Sequence, residues 1–127
     1  MTQNVNDTLL NEALRIARLI ERARLPLSSE KAVQADLGAV LSQANIAHER
    51  EYRLNDRDIP DFFLPGGVVL EVKMKGARKM DVYRQLERYA AHSDVHALVL
   101  VTNLAMGMPA AINGKPVLMT SLGRGWL

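Results

Sequence analysis

Apolar side chains recur at helical spacing over the first part of the chain. Leu9, Leu10, Ala13, Leu14, Ala17 and Ile20 share one face, which predicts a helix over residues 7–24. Asp7 is its expected N-cap, and Pro26 ends it, since a proline disfavours helical backbone in the residue before it. A second stripe of Val33, Leu37, Val40, Leu41 and Ala44 predicts a helix from Ser28 or Ser29 to Ala44. Glu30 lies on the edge of that stripe, on the core side, although an acid at a helix N-terminus is also favoured by the helix dipole.

The pattern then changes to strands. Residues 47–54 are weakly apolar and highly charged, the signature of an edge strand. Residues 59–64 and 68–74 are apolar runs separated by Pro65-Gly66-Gly67, which predicts a β-hairpin, with Lys75-Gly76 ending its second strand. Val82, Leu86, Tyr89 and Ala90 give the buried face of a third helix over 78–92. The run at 96–103 is apolar without alternation, as in a strand covered on both faces. A loop over 104–116 and a last strand over 117–121 complete the chain, with Trp126 expected to tuck the terminus down. The order is helix, helix, three strands, helix, strand, strand. It describes an α/β domain with a mixed sheet, the third helix serving as a crossover between parallel strands.

One strand breaks its own apolar pattern. Glu71 and Lys73 are two apart, so they share a face, while Leu70, Val72 and Met74 point to the other. Two charges on an otherwise apolar strand cost several kcal/mol unless they are paired or used, since even a neutral polar group costs about 2–7 kcal/mol. If Pro65-Gly66-Gly67 is a three-residue loop, Leu64 faces Val68, Phe62 faces Leu70 and Asp61 faces Glu71. A two-residue loop would set Asp61 against Leu70 instead. In the first register two carboxylates oppose each other beside a lysine, and like charges so placed need a shared proton or an intervening cation. That set suits a divalent-metal hydrolytic centre: carboxylates hold Mg²⁺, the metal acidifies water, and a lysine positions that water or stabilises charge on a phosphate. The alternative is a surface hairpin carrying an Asp/Glu/Lys ion-pair trio.

Composition narrows the chemistry further. The chain has 127 residues, 48% hydrophobic and 24% charged, values that suit a single folded domain over 1–127. Cysteine is absent, so thiol nucleophiles, zinc–thiolate sites and iron–sulfur clusters are excluded. The three histidines, His48, His92 and His96, lack metal-ligand spacing; His48 and His92 are expected at the surface. A hard cation held by carboxylates is the metal chemistry that remains. No apolar run is long enough to span a membrane, and Met1 to Leu10 lack the pattern of a secretory signal, so a cytoplasmic protein is expected. Sixteen Lys and Arg against fourteen Asp and Glu leave a net charge of +2, which excludes a polycationic coating protein.

The residues Pro60-Asp61 … Glu71-Val72-Lys73 resemble the signature of the PD-(D/E)XK nuclease superfamily. The resemblance covers residues 29–103 and implies a restriction-endonuclease-like αβββαβ core, here with an extra N-terminal helix and a C-terminal strand. It implies Mg²⁺, with Mn²⁺ as a substitute, held by Asp61 and Glu71 with help from the Val72 carbonyl. Lys73 would be the catalytic lysine, and Glu30 matches the further acid that the family often carries on its first core helix. Gln85-Leu86-Glu87-Arg88-Tyr89 is similar to the Gln-x-x-x-Tyr of the RecB-like and lambda-exonuclease-like branch, which would give Gln85 a role in positioning water or substrate. The chain's size is closer to that of archaeal Holliday-junction resolvases, which are small dimers.

The implied activity is hydrolysis of phosphodiester bonds in DNA, as in repair, recombination or mobile-element processing in a bacterial, archaeal or phage-infected cell. The other reading is a nuclease-fold DNA-binding or assembly subunit without turnover. Lys75, Arg78, Lys79, Arg84, Arg88 and Tyr89 are the expected DNA contacts. Arg15, Arg18 and Arg22 form a stripe on the first helix, but Glu12 and Glu21 lie among them, which favours a solvated face. Tyr52 and Tyr83 are expected to pack rather than stack on bases. A domain this small offers little surface to a duplex, so a homodimer or membership of a larger DNA-processing complex is expected.

Overall fold

The fold is taken from a computed structural model, which describes residues 2–122. Two helices come first, α1 (Thr2–Arg22) and α2 (Glu30–Gln43). Three strands follow: β1 (Glu49–Arg50), β2 (Phe62–Leu64) and β3 (Val68–Lys73). Then come α3 (Lys79–Ala90), β4 (Ala97–Thr102), β5 (Ala111–Ile112) and β6 (Lys115–Ser121). The six strands form one mixed sheet in the order β1-β2-β3-β4-β6-β5. β1, β2 and β3 are antiparallel neighbours, β3, β4 and β6 run parallel, and β5 returns antiparallel to β6. All six residues of β4 are buried, as its unalternating apolar run requires.

The sheet separates two apolar cores. On one face Leu70, Val72, Val99 and Val101 pack with Ile16 and Ile20 of α1 and with Val33, Leu37 and Leu41 of α2. On the other, Val69, Leu98 and Leu100 pack with Val82, Leu86 and Tyr89 of α3. α3 is the crossover between the parallel strands β3 and β4.

The predicted hairpin register is the observed one. Phe62 pairs with Leu70 and Leu64 with Val68, and the Gly67 N–H donates to the Leu64 carbonyl at 3.1 Å. Gly67 has a φ of +83°, and a Cβ there would stand 2.4 Å from the Asp94 carbonyl oxygen, so only glycine fits.

Other expectations need correction. α1 begins at Thr2, so Asp7 lies inside the helix and is not its N-cap. Among its described side chains the buried ones are Ala13, Ile16, Ala17 and Ile20, with Leu10 and Leu14 only half-buried. The core stripe is thus rotated toward Ile16, the side facing β4 and β6. Ser29 is the N-cap of α2, its hydroxyl accepting from the Ala32 N–H at 3.1 Å. The strand expected over 47–54 shrinks to two residues, because Glu51 takes a positive φ of 52° and ends the pairing. The loop expected over 104–116 contains β5 and a tight turn at Asn113-Gly114, both with positive φ, as a two-residue hairpin requires. That hairpin caps α3: the Lys115 ammonium donates to the carbonyls of Ala90 and His92, each at 2.6 Å. Trp126 lies outside the described residues.

Candidate functional site

Beyond Phe62, β2 and β3 stop exchanging main-chain hydrogen bonds, and carboxylates take over. The Asp61 N–H donates to Glu71 Oε1 at 3.0 Å. One step on, the Val72 N–H donates to Asp61 Oδ2 at 2.8 Å. The two acids thus interlock where the hairpin opens. The Asp61 carbonyl accepts from the Glu51 N–H at 2.9 Å, so the Asp61 main chain is held on both sides. N–H and C=O of one strand residue point the same way, so the Val72 carbonyl also leaves β3 on the Asp61 side.

Glu71 and Lys73 share the α3 face of β3, as the alternation predicts. Glu71 is 2% exposed. The Lys73 ammonium lies 3.2 Å from Glu71 Oε2, and the Tyr89 hydroxyl donates to Glu71 Oε1 at 3.5 Å. The Glu71 carboxyl is pushed up to about 7, first by burial and then by the Asp61 charge, with Lys73 opposing both. Asp61 is raised as well, first by burial and also by Glu30, against the pull of the Val72 N–H, Lys73 and the Gln34 amide. The pair is therefore short of positive charge: one ammonium serves two acids in a dry setting.

Glu30, in the first turn of α2, is near enough to act on Asp61 through its charge. It does not complete a cage. Among the described residues, no group of three or more His, Asp or Glu side chains stands ready to hold a metal ion. The oxygen donors are Asp61, Glu71 and the Val72 carbonyl, a set that suits Mg²⁺, which usually takes one or two carboxylates and keeps several waters.

Gln85 and Lys73 line the same groove on the α3 side, together with Arg57, Arg78, Arg84 and Arg88. Lys75 and Lys79 are exposed beyond it. Two of the expected DNA contacts are placed differently. Tyr89 is completely buried, so it cannot touch DNA; its hydroxyl serves Glu71. Arg88 is turned partly inward, its Nε donating to Asp58 Oδ1 at 3.1 Å. His92, expected at the surface, is half-buried, with Nε2 2.8 Å from Asp58 Oδ2.

Pattern reading passed over two residues. Gln34 lies four residues after Glu30, on the same face of α2, and its amide opposes the rise of the Asp61 carboxyl; that spacing was its only signal. Asp58, 5% exposed, gathers Arg88, His92 and the Asn55 amide at 3.2 Å. It had no signal in a loop rich in polar residues. Tyr52 stacks on Phe63, ring centroids 4.3 Å apart, and so packs as expected. Arg15 pairs with Glu12 at 2.6 Å on the exposed face of α1, as a solvated face does.

In comparisons with known proteins, no family model matches the chain, and no curated protein and no solved structure matches it. Among the described residues, no helix is long and apolar enough to cross a membrane.

Proposed function

We propose that this protein is a Mg²⁺-dependent nuclease that hydrolyses phosphodiester bonds in DNA. The observation that carries the reading is the interlocked pair of acids, half-buried Asp61 and buried Glu71, with Lys73 3.2 Å from Glu71. A fold does not keep two raised carboxyls together at the open end of a hairpin for its own stability. The sequence of elements α2-β1-β2-β3-α3-β4, an antiparallel meander followed by a crossover to a parallel strand, supports a restriction-endonuclease-like core.

In this reading Asp61 and Glu71 hold Mg²⁺, with Mn²⁺ as a substitute, and the Val72 carbonyl and Glu30 assist, Glu30 through water. Bound there, the metal supplies charge neutralisation at the phosphate and acidifies water. The chain's own residues do the rest. The Val72 N–H fixes the Asp61 carboxylate, and the Asp61 N–H fixes Glu71. Lys73, partly exposed and lining the groove, turns its ammonium between Glu71 and a non-bridging phosphate oxygen, where it stabilises charge that develops in the transition state. Gln85 in the same groove orients water or substrate. A homodimer or a partner in a larger complex would enlarge the DNA footprint.

A second reading, a nuclease-fold DNA-binding or assembly subunit without turnover, is favoured by the lack of a ready three-acid group among the described residues. Linear, nicked and branched DNA incubated with Mg²⁺ or Mn²⁺ separates the two. The nuclease reading requires metal-dependent cutting that is lost in Lys73→Ala and Asp61→Ala. Tight binding without cutting by the unsubstituted protein supports the second reading and ends the first.

A further inference from the structure

Beside the paired acids runs a groove of about 520 Å³ whose walls carry Arg57, Lys73, Arg78, Arg84 and Arg88, with Asp81 as the one acid. Among the described residues, Arg57, Arg78 and Arg84 have no ion-pair partner. The groove therefore holds a concentrated positive charge that the protein itself leaves unneutralised.

Two observations make it a built site rather than a solvated face. First, Arg88 is gripped from behind. Its Nε bonds Asp58, which is 5% exposed and also held by His92. A guanidinium presents five N–H donors in a rigid fork, so pairing through Nε leaves the terminal nitrogens for a ligand in the groove. Second, Arg57 comes from the same loop as Asp58. The Asn55 side-chain oxygen accepts from the N–H groups of Arg57 at 2.8 Å and of Asp58 at 2.7 Å. The loop that buries Asp58 thus carries Arg57 to the groove on a pinned backbone. Among the described residues, no aromatic side chain lines the groove, so they offer no platform there for stacking bases. Its chemistry matches phosphate, which arginine meets with paired hydrogen bonds.

We propose that this groove binds the sugar–phosphate backbone of DNA next to the reacting phosphate, with Arg57 as a phosphate contact and Asp58 as the positioning residue that aims Arg88 into it. The inference deepens the nuclease reading and rests on it.

The test is binding without turnover. Fluorescence anisotropy of two short labelled duplexes of unrelated sequence, in EDTA, is followed from about 50 to about 200 mM salt. Arg57→Ala should weaken both duplexes about fivefold to tenfold near 0.1 M salt and lower the salt slope by about 1. Arg57→Lys should keep that slope. Unchanged affinity and slope in Arg57→Ala, or a loss on one sequence only, overturns the phosphate contact. Asp58→Asn should weaken binding in the parent protein and add nothing in an Arg88→Ala background; additive losses overturn the positioning role. If circular dichroism finds Asp58→Asn unfolded, Arg88→Lys takes its place. It keeps the charge but lacks Nε, so it should bind as weakly as Arg88→Ala, and full binding overturns the role. Cutting by the unsubstituted protein alongside normal binding by Arg57→Ala removes the groove and leaves the nuclease. Arg57-dependent binding without any cutting does the reverse.

Discussion

Asp58 and Glu71 are both buried acids, but their partners differ in sign. Asp58 faces Arg88, His92 and the Asn55 amide. Burial pushes its carboxyl up, but His92, Arg88 and Asn55 outweigh that, and it ends below the usual carboxylate range. Among the described residues Glu71 faces another acid and one cation, and it ends near 7. The first network is closed: its charge is balanced inside the protein, and it ties the loop before β2 to α3. The second is open and gains from an added cation. Burial alone therefore does not mark an acid that takes up a cation; the sign of what surrounds it does.

Neutralising each acid in turn should break the comparison most sharply. Glu71→Gln should lower metal-dependent cutting roughly a thousandfold, yet hold or raise the urea midpoint near neutral pH, because it removes a charge the fold does not favour. Asp58→Ala should do the opposite. It removes the acceptor that Arg88, His92 and Asn55 share and costs about 2 kcal/mol of stability, while kcat at saturating DNA falls far less than in Glu71→Gln. Urea denaturation and single-turnover cleavage of both variants decide it. A Glu71→Gln protein that loses as much stability as Asp58→Ala would mean that Glu71 is part of the architecture.

The pH dependence of stability follows from the same contrast. Glu71 titrates from 4.5 unfolded to about 7 folded, so between those values the folded protein holds a proton that the unfolded chain has released. Its contribution is complete below the unfolded pKa and is lost as pH rises through 7, a fall of about 3 kcal/mol; Asp61, also raised, acts in the same direction. Asp58 is lowered, so its contribution is present above its unfolded value and disappears only in strong acid. Without divalent metal, the urea midpoint should fall from pH 5 to pH 8, and Glu71→Gln should flatten that slope. Mg²⁺ should restore more stability at pH 8 than at pH 5. A midpoint that rises across this window would contradict the raised carboxyl.

Much of this was legible in one dimension, and the misses have physical causes. Strand alternation set Glu71 and Lys73 on one face and Leu70 and Val72 on the other, because a period of two leaves no freedom once one face is apolar. Loop length and the glycine at 67 then set the register that brings Asp61 to Glu71. The closed network was invisible because Asn55, Asp58, Arg88 and His92 meet only after α3 folds back over the loop, and no periodicity links them. Ile16 was missed because α1 is apolar on more than one side, so the docking surface of β4 and β6 chooses the stripe. The Asn113-Gly114 turn was readable as a hairpin signal, but its flanking strand β5 is only two residues long.

The neutral donor to each acid gives the smallest and sharpest comparison. Tyr89 is to Glu71 what Asn55 is to Asp58. Its hydroxyl is pushed well above the usual tyrosine range, first by burial and then by the Glu71 charge, so it stays protonated and can only donate toward Glu71. At 3.5 Å the bond is longer than an ordinary O–H···O contact, which ends near 3.0 Å. Tyr89→Phe keeps the ring that fills the core under α3, so stability should change by less than about 1 kcal/mol. The donor favours ionised Glu71, and its loss should weaken Mg²⁺ binding by about twofold to threefold in calorimetric titration, with the deficit shrinking as pH rises and Glu71 ionises without help. A deficit that stays constant up to pH 9 would mean that Tyr89 acts through packing alone. Only an acid still waiting for its cation should respond this way, and Asn55→Ala beside the balanced Asp58 should leave Mg²⁺ affinity where it is.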